Sequence, residues 1–155
     1  MGDYALTLVD SLDSFAVMGD RAGFEIGVRE TIQHVQFDLD SRIQVFEVVI
    51  RMLGGLLSAH QLAIDPHFGF ALSWYKDELL MLARDLGRRL LPSFNTPTGI
   101  PYPRIHLQRG VRNSETLETC TAGAGSLLLE LGTLSRLTGD PSFELAARKV
   151  NVVHK

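Results

Sequence analysis

At 155 residues the chain has the length of one ordinary domain, and its 45% hydrophobic content is enough to build a core. A net charge of −3 gives no electrostatic footing for nucleic acid, no apolar run approaches the ~20 residues that span a membrane, and MGDYALTLVDSLD lacks the basic-then-apolar order of a signal peptide. Cys120 stands alone, so no disulfide closes within these residues; that suits a reducing compartment and equally a truncated secretory protein.

Tyr4 to Met18 reads as the first helix, with Leu6, Val9, Phe15 and Val17 set among polar residues. Asp20 caps a second, roughly Arg21 to Val35, whose apolar side carries Phe24, Ile26, Val28, Ile32 and Val35. FDLDS at 37–41 is a polar connection. QVFEVVIRMLGGLLSAH, Gln44 to His60 and on to about Ala63, is apolar almost all the way round, the pattern of a buried helix. One stripe of it holds Glu47 and Arg51 a turn apart, followed by Gly54, Gly55 and Ser58. Unpartnered charge is costly to bury, so that stripe should face a polar cavity or be tightly paired.

Asp65-Pro66 is a helix-start signal. His67 to Tyr75 is irregular and aromatic-rich, and its Phe68, Phe70, Trp74 and Tyr75 suit either stacking on sugar or anchoring of a loop. A fourth helix is predicted from about Lys76 to Leu91, with Leu79, Leu80, Leu82, Ala83, Leu86 and Leu90 inward and Arg84, Arg88 and Arg89 on a solvated face. Pro92 ends it. Ser93 to Glu118 is a long loop, with a short hairpin expected in Ile100–Val111; such loops usually bind or cover something. Thr121 to Leu137 is the fifth helix, and Asp140-Pro141 starts a sixth that runs to the end. The histidines show no ligand pair at helical spacing, which argues against a transition-metal site. Gly123-Ala124-Gly125 has no lysine to hold a phosphate, so close helix packing is its better reading.

DSFAVMGDRAGF, AHQLAIDPHF and LSRLTGDPSF each end an apolar helix, cap the next with Asp and place a Phe soon after. The repeating unit is a helix hairpin, and tandem hairpins stack because each buries its apolar face on its neighbours. The first helix of each pair carries an acid: Asp10, Glu47 and Glu130. That pattern predicts inner helices lining a cavity and outer helices facing water, although three hairpins cannot close a ring. Acids projecting into one cavity suit cation binding or general acid/base work such as glycoside hydrolysis. Burial would raise the proton affinity of Glu47, and Arg51 would oppose this. A plain i, i+4 ion pair between the two explains the same spacing.

QVFEVVIRMLGGLLSAH resembles the signature of glycoside hydrolase family 47, the class I α-1,2-mannosidases. LTLVDSLDSFAVMGD, FDLDS, LLPSFNTPTGIPYPRIHL and TCTAGAGSLLLELGTLSRLTGD resemble the family's blocks in the same order, from about Asp3 to Lys149. PYPRIHL and TCTAGAGSLL look closest to the ER degradation-enhancing α-mannosidase-like branch. The resemblance implies an all-α fold, a partial (α/α)7 toroid of about three helix hairpins in inner and outer layers. It also implies a bound calcium ion (Ca2+) and inverting removal of α-1,2-linked mannose from high-mannose N-glycans on misfolded glycoproteins in the endoplasmic reticulum. A protein disulfide isomerase is the protein partner it implies.

Residue by residue, Glu47 matches the general acid and Arg51 the arginine that contacts the sugars. Asp10 and Glu130 match acids that line the pocket, and the loop at Ile100 to Tyr102 matches a region near the glycan-binding mouth, with Tyr102 as the substrate-binding residue. Gly123 stands where processing members carry a glutamate, and after Lys149 the tail VNVVHK leaves the family pattern. The family's second catalytic acid, general base and calcium-binding threonine lie in later segments, and its secretory signal lies upstream. The resemblance therefore implies that residues 1–155 are the N-terminal part of a catalytic domain, with no metal ligand of their own and no hydrolysis in isolation. A lectin-like binding module of ER-associated degradation and an inactive truncated product are the competing readings.

Overall fold

The computed structural model describes residues 4–152. The predicted first helix is two: α1, Leu6–Asp10, and α2, Leu12–Val17. They part at Ser11, whose hydroxyl donates to the Leu8 carbonyl at 2.9 Å and competes with the helical ladder. Gly19 takes a positive φ of 74° to turn the chain into α3, Arg21–His34, where the Asp20 carboxylate accepts the Gly23 N–H at 2.9 Å as the cap requires. A three-residue strand β1, Arg42–Gln44, then leads into α4, Val45–Ile64. The outer helix α5, Glu78–Leu90, follows, then strand β2, Arg104–His106. The predicted fifth helix is also split, into α6, Thr121–Gly125, and α7, Leu128–Thr138, and α8 is Ser142–Val152.

Two layers form. α4 lies in the middle of the inner layer, with α1 and α2 on one side and α7 on the other; α3, α5 and α8 make the outer layer, α5 bridging α4 and α7. α4 is buried on most sides through Val45, Val49, Met52, Leu53, Leu56 and Leu57. No uninterrupted apolar run reaches ~20 residues, yet by length and composition alone one helix matches a membrane span, as the core helix of a globular fold can. α4 has 20 residues at a mean hydropathy of 1.2, long and apolar enough to cross a membrane, because its polar residues interrupt the run without ending the helix. Two glycines set helix separations: a Cβ on Gly55 would meet the Val9 carbonyl oxygen at 3.0 Å, and one on Gly87 would meet Leu134 Cδ2 at 2.5 Å.

Other expectations shift for physical reasons. Ile26 is 61% exposed, because Phe24, Val28 and Thr31 define the buried face of α3 and Ile26 falls on its far side. Leu80 and Leu82 are half-buried, flanking the stripe of Leu79, Ala83, Leu86 and Leu90. The hairpin expected within Ile100–Val111 is only a tight turn, His106 bridging Gly110. Its strand pairs elsewhere, antiparallel with β1 in the register Arg42↔His106, Ile43↔Ile105, Gln44↔Arg104.

The repeat holds in its first and third units, where Phe24 and Phe143 are fully buried. In the second, Asp65 caps only the short 3-10 turn Pro66–Phe68, and Phe68 is 55% exposed. Phe70 packs edge-on against Phe24 instead, ring centroids 5.4 Å apart. The Trp74 indole N–H donates to Glu25 at 2.8 Å beneath the Arg29 guanidinium, and the Tyr75 hydroxyl bonds His60 at 2.8 Å. Three of the four aromatics thus anchor their loop.

Candidate active site

The polar stripe of α4 is shaped by a π-helical turn, Val48–Leu53, placed between Glu47 and Gly54. Such turns widen the helix and reset the direction in which its side chains leave, and they concentrate at functional sites. Arg51 lies inside this turn. Its Nη2 and Nε donate to Asp10 Oδ2 of α1 at 2.8 and 3.0 Å, while its Nη1 stays 3.8 Å from Glu47 Oε2. The close approach at Gly55, which brings Val9 against α4, is what carries the neighbouring Asp10 within reach. All three side chains are about a third exposed, and the hydrogen bonds that Arg51 donates to Asp10 push the Arg51 pKa up. The i, i+4 pair expected between Glu47 and Arg51 is therefore the weaker contact of the cluster.

Two turns beyond Glu47 on α4, Gly54 faces α7: a Cβ there would sit in ordinary contact with Glu130 Cγ, at 3.7 Å. Glu130 Oε2 is buried with no hydrogen-bond partner among the described residues, and burial pushes its carboxyl pKa up. It borders a cleft of about 410 Å³ lined also by Ser58, Gln61, Phe68 and Thr133. Asp10, Glu47 and Glu130 thus come from three inner elements onto one stripe. Tyr102 lines a different cleft, of about 310 Å³, with Gln44, Phe46, Glu118 and Cys120, and its N–H donates to the Ser93 carbonyl at 2.9 Å. Cys120 is an exposed thiol whose sulfur accepts the Gly123 N–H at 3.3 Å and caps α6. A Cβ on Gly123 would stand 2.9 Å from Thr119 Oγ1, so its smallness serves close packing.

Sequence reasoning missed a second polar cluster. His106 Nδ1 accepts the N–H groups of Gln108 and Arg109 at 3.2 and 3.3 Å, which leaves Nε2–H to donate to Asp40 at 2.7 Å. Arg109 also pairs with Asp40, whose carboxyl pKa is lowered, chiefly by the His106 hydrogen bond. Arg89, expected on a solvated face, binds Asp85 at 3.0 Å and the Leu107 carbonyl at 3.3 Å. Complementary charge in FDLDS and RIHLQR was the available signal. His60, near the end of α4, is buried: the Tyr75 hydroxyl accepts the Leu79 N–H at 3.1 Å and shares a hydrogen bond with His60 Nδ1, with burial lowering the His60 pKa and raising that of Tyr75.

Among the described residues no three His, Cys, Asp or Glu side chains converge as metal ligands. These residues do not by themselves form a calcium cage. What the stripe can do is present a carboxyl group, Glu47, beside a guanidinium with N–H groups left over for a ligand, and an unpartnered acceptor, Glu130, farther along.

Residues 1–155 match the family model described as Glycosyl hydrolase family 47. Alpha-mannosidase I MNS5 of Arabidopsis thaliana is 55% identical over 92% of this chain and 25% of its own length. ER degradation-enhancing alpha-mannosidase-like protein 3 of Homo sapiens is 48% identical over 96% of this chain and 17% of its own length. The alpha-1,2-mannosidase from Trichoderma reesei shares the fold at a TM-score of 0.86 and 33% identity, over 96% of this chain and 32% of that one. The chain thus spans a quarter or less of the length of these curated relatives. It belongs to glycosyl hydrolase family 47, and its two helical layers are part of an (α/α)7 toroid.

Proposed function

We propose that residues 1–155 carry the acid-bearing first part of the catalytic domain of a mannosyl-oligosaccharide 1,2-α-mannosidase. Its substrates are high-mannose N-glycans, trimmed in endoplasmic reticulum quality control and the degradation of misfolded glycoproteins. The observation that carries this reading is the convergence of Asp10, Glu47 and Glu130 on one polar stripe, with Arg51 between two of them. The mannosidase names of the relatives support the substrate class, and the ER degradation-enhancing names support the compartment.

In an inverting mechanism one carboxylic acid protonates the leaving oxygen while a carboxylate about 6.5–9.5 Å away activates water. Glu47 is the proton donor of this proposal. Arg51 holds a sugar hydroxyl with its free N–H groups, and Glu130 accepts a hydroxyl proton into its unfilled acceptor. The general base comes from residues other than these. Calcium dependence rests on family membership alone, since the donor set here does not form a cage. A disulfide isomerase partner rests on the resemblance, with the exposed Cys120 thiol as the group available to it.

The test grafts these residues in place of the matching segment of the Trichoderma reesei enzyme and assays mannose release from a high-mannose glycan. Glu47→Gln is expected to lower the rate by about 10²- to 10⁴-fold while leaving glycan binding in place. An unchanged rate sinks the assignment. A graft that binds glycan and never hydrolyses it supports the lectin-like reading instead.

A further inference from the structure

We infer that Asp10 is a positioning residue: it draws the Arg51 guanidinium away from Glu47 and keeps that carboxyl out of a hydrogen-bonded ion pair. The inference rests on the proposed role of Glu47 as donor. A guanidinium left free beside a carboxylate would close on it as a hydrogen-bonded pair, the strongest geometry available to both. Here Arg51 gives two N–H groups to one oxygen of Asp10, at 2.8 and 3.0 Å, and none to Glu47, which stays at 3.8 Å. The arrangement is built in: the π turn aims Arg51 toward α1, and Gly55 lets α1 come close enough for Asp10 to receive it. Asp10 thus spends its charge on Arg51 and fixes which N–H groups remain for a sugar.

The other charged groups around this stripe do not substitute for Asp10. Glu130 on α7 packs against Gly54, two turns from Glu47. Toward α6, Glu118 and Cys120 line the separate cleft that holds Phe46 and Tyr102. When Asp10 loses its charge, Arg51 turns to Glu47 and closes on it.

Two readouts test this. In the 155-residue chain, ¹⁵N NMR follows the Arg51 Nε–H. Protection from solvent exchange is expected in the native chain and in Glu47→Gln, and its loss in Asp10→Ala. The opposite hierarchy, protection surviving Asp10→Ala and lost in Glu47→Gln, overturns the inference. In the graft, Asp10→Asn is expected to move the alkaline limb of the pH–rate profile down by about one pH unit, the low end of the range for a nearby opposite charge because the groups are partly exposed. Asp10→Glu, which can still reach Arg51, should restore the limb. A uniform loss of rate with an unmoved profile, or a rise in KM alone, would mean that Asp10 acts as a structural or direct sugar contact. A native graft that never releases mannose defeats the proposed function and leaves the NMR hierarchy standing, so the two failures are distinct.

Discussion

Gly54 and Gly55 are adjacent, and the structure assigns opposite signs to the same substitution at each. Replacing a helical glycine by alanine removes backbone freedom from the unfolded chain and gains about 1 kcal/mol where the methyl group fits. At Gly54 it fits: the nearest atoms to an added Cβ, Glu130 Cγ and the Val49 carbonyl oxygen, lie at 3.7 Å. At Gly55 it meets Val9 Cγ1 and the Val9 carbonyl oxygen, both at 3.0 Å, and Val9 is fully buried with no room to retreat. Overpacking of this kind typically costs about 1–3 kcal/mol, and here backbone rather than a side-chain tip must move. Set against the propensity gain, Gly55→Ala should destabilise by about 1 kcal/mol, and Gly54→Ala should stabilise by about 0.5–1 kcal/mol. For a chain of this size each kcal/mol moves Tm by about 2–4 °C, so the two variants should differ by roughly 3–8 °C. Urea and thermal denaturation followed by far-UV circular dichroism measure both. A Gly55→Ala variant at or above the native Tm would refute the claim that close contact between α1 and α4 is fixed by this glycine. It would also weaken the account of how Asp10 reaches Arg51.

Glu130→Gln should raise stability at neutral pH by about 1 kcal/mol, since it replaces a half-buried carboxylate with an unmet acceptor by a neutral amide. Because the folded carboxyl titrates above its ordinary 4.5, the penalty exists at neutral pH and vanishes as pH falls below that value; urea midpoints of the two proteins should therefore converge in acid. His60 works in the other sense. Its folded pKa is depressed, so the unfolded chain takes up the proton first, and stability is lost as pH falls through the ordinary 6.5. A His60→Gln variant should show a flatter urea midpoint across that range than the native chain, and an equally steep one would show that another group titrates there. Asp40→Ala removes the acceptor of His106 Nε2–H, and should speed proteolytic cutting in the 96–118 loop several-fold while helical circular dichroism stays unchanged. A loop no easier to cut would mean that the β1–β2 pairing alone holds it.

The helices and their acids were legible because the signals for them are local. Apolar spacing and caps such as Asp20 need only a few neighbouring residues, and both are where the sequence puts them. What was illegible depends on distant partners or small backbone choices. Nothing in VVIRML announces a π turn, yet that turn aims Arg51. The Asp10–Arg51 bond joins residues 41 apart, and the strand that pairs with Arg42–Gln44 lies beyond two helices. Ile26 went to the wrong face because apolar character was counted without checking its angle from Phe24 and Val28. Phe68 was matched to Phe24 and Phe143 by motif, whereas the capped 3-10 turn at Pro66 leaves it beside the Glu130 cleft.

The polar stripe of α4 began as a choice between a bland ion pair and a chemical site, and the geometry argues against the bland option on its own terms. A helix that needed only to neutralise Glu47 would let Arg51 close on it one turn away. Arg51 instead bonds across to α1, and Glu47 is left with a contact at 3.8 Å that is no hydrogen bond. Two turns on, Glu130 keeps a buried oxygen without a donor, although Ser58 and Thr133 line the same cleft. Both features cost stability in the unliganded chain. Both suit the ligand proposed above: a polyhydroxylated ring has hydroxyls that can accept from the free Arg51 N–H groups and donate to the orphan oxygen of Glu130. A purely apolar partner would meet neither need, and an anion would meet only the first. Unmet hydrogen-bonding capacity of both signs along one stripe is therefore what supports the sugar-binding role proposed for it.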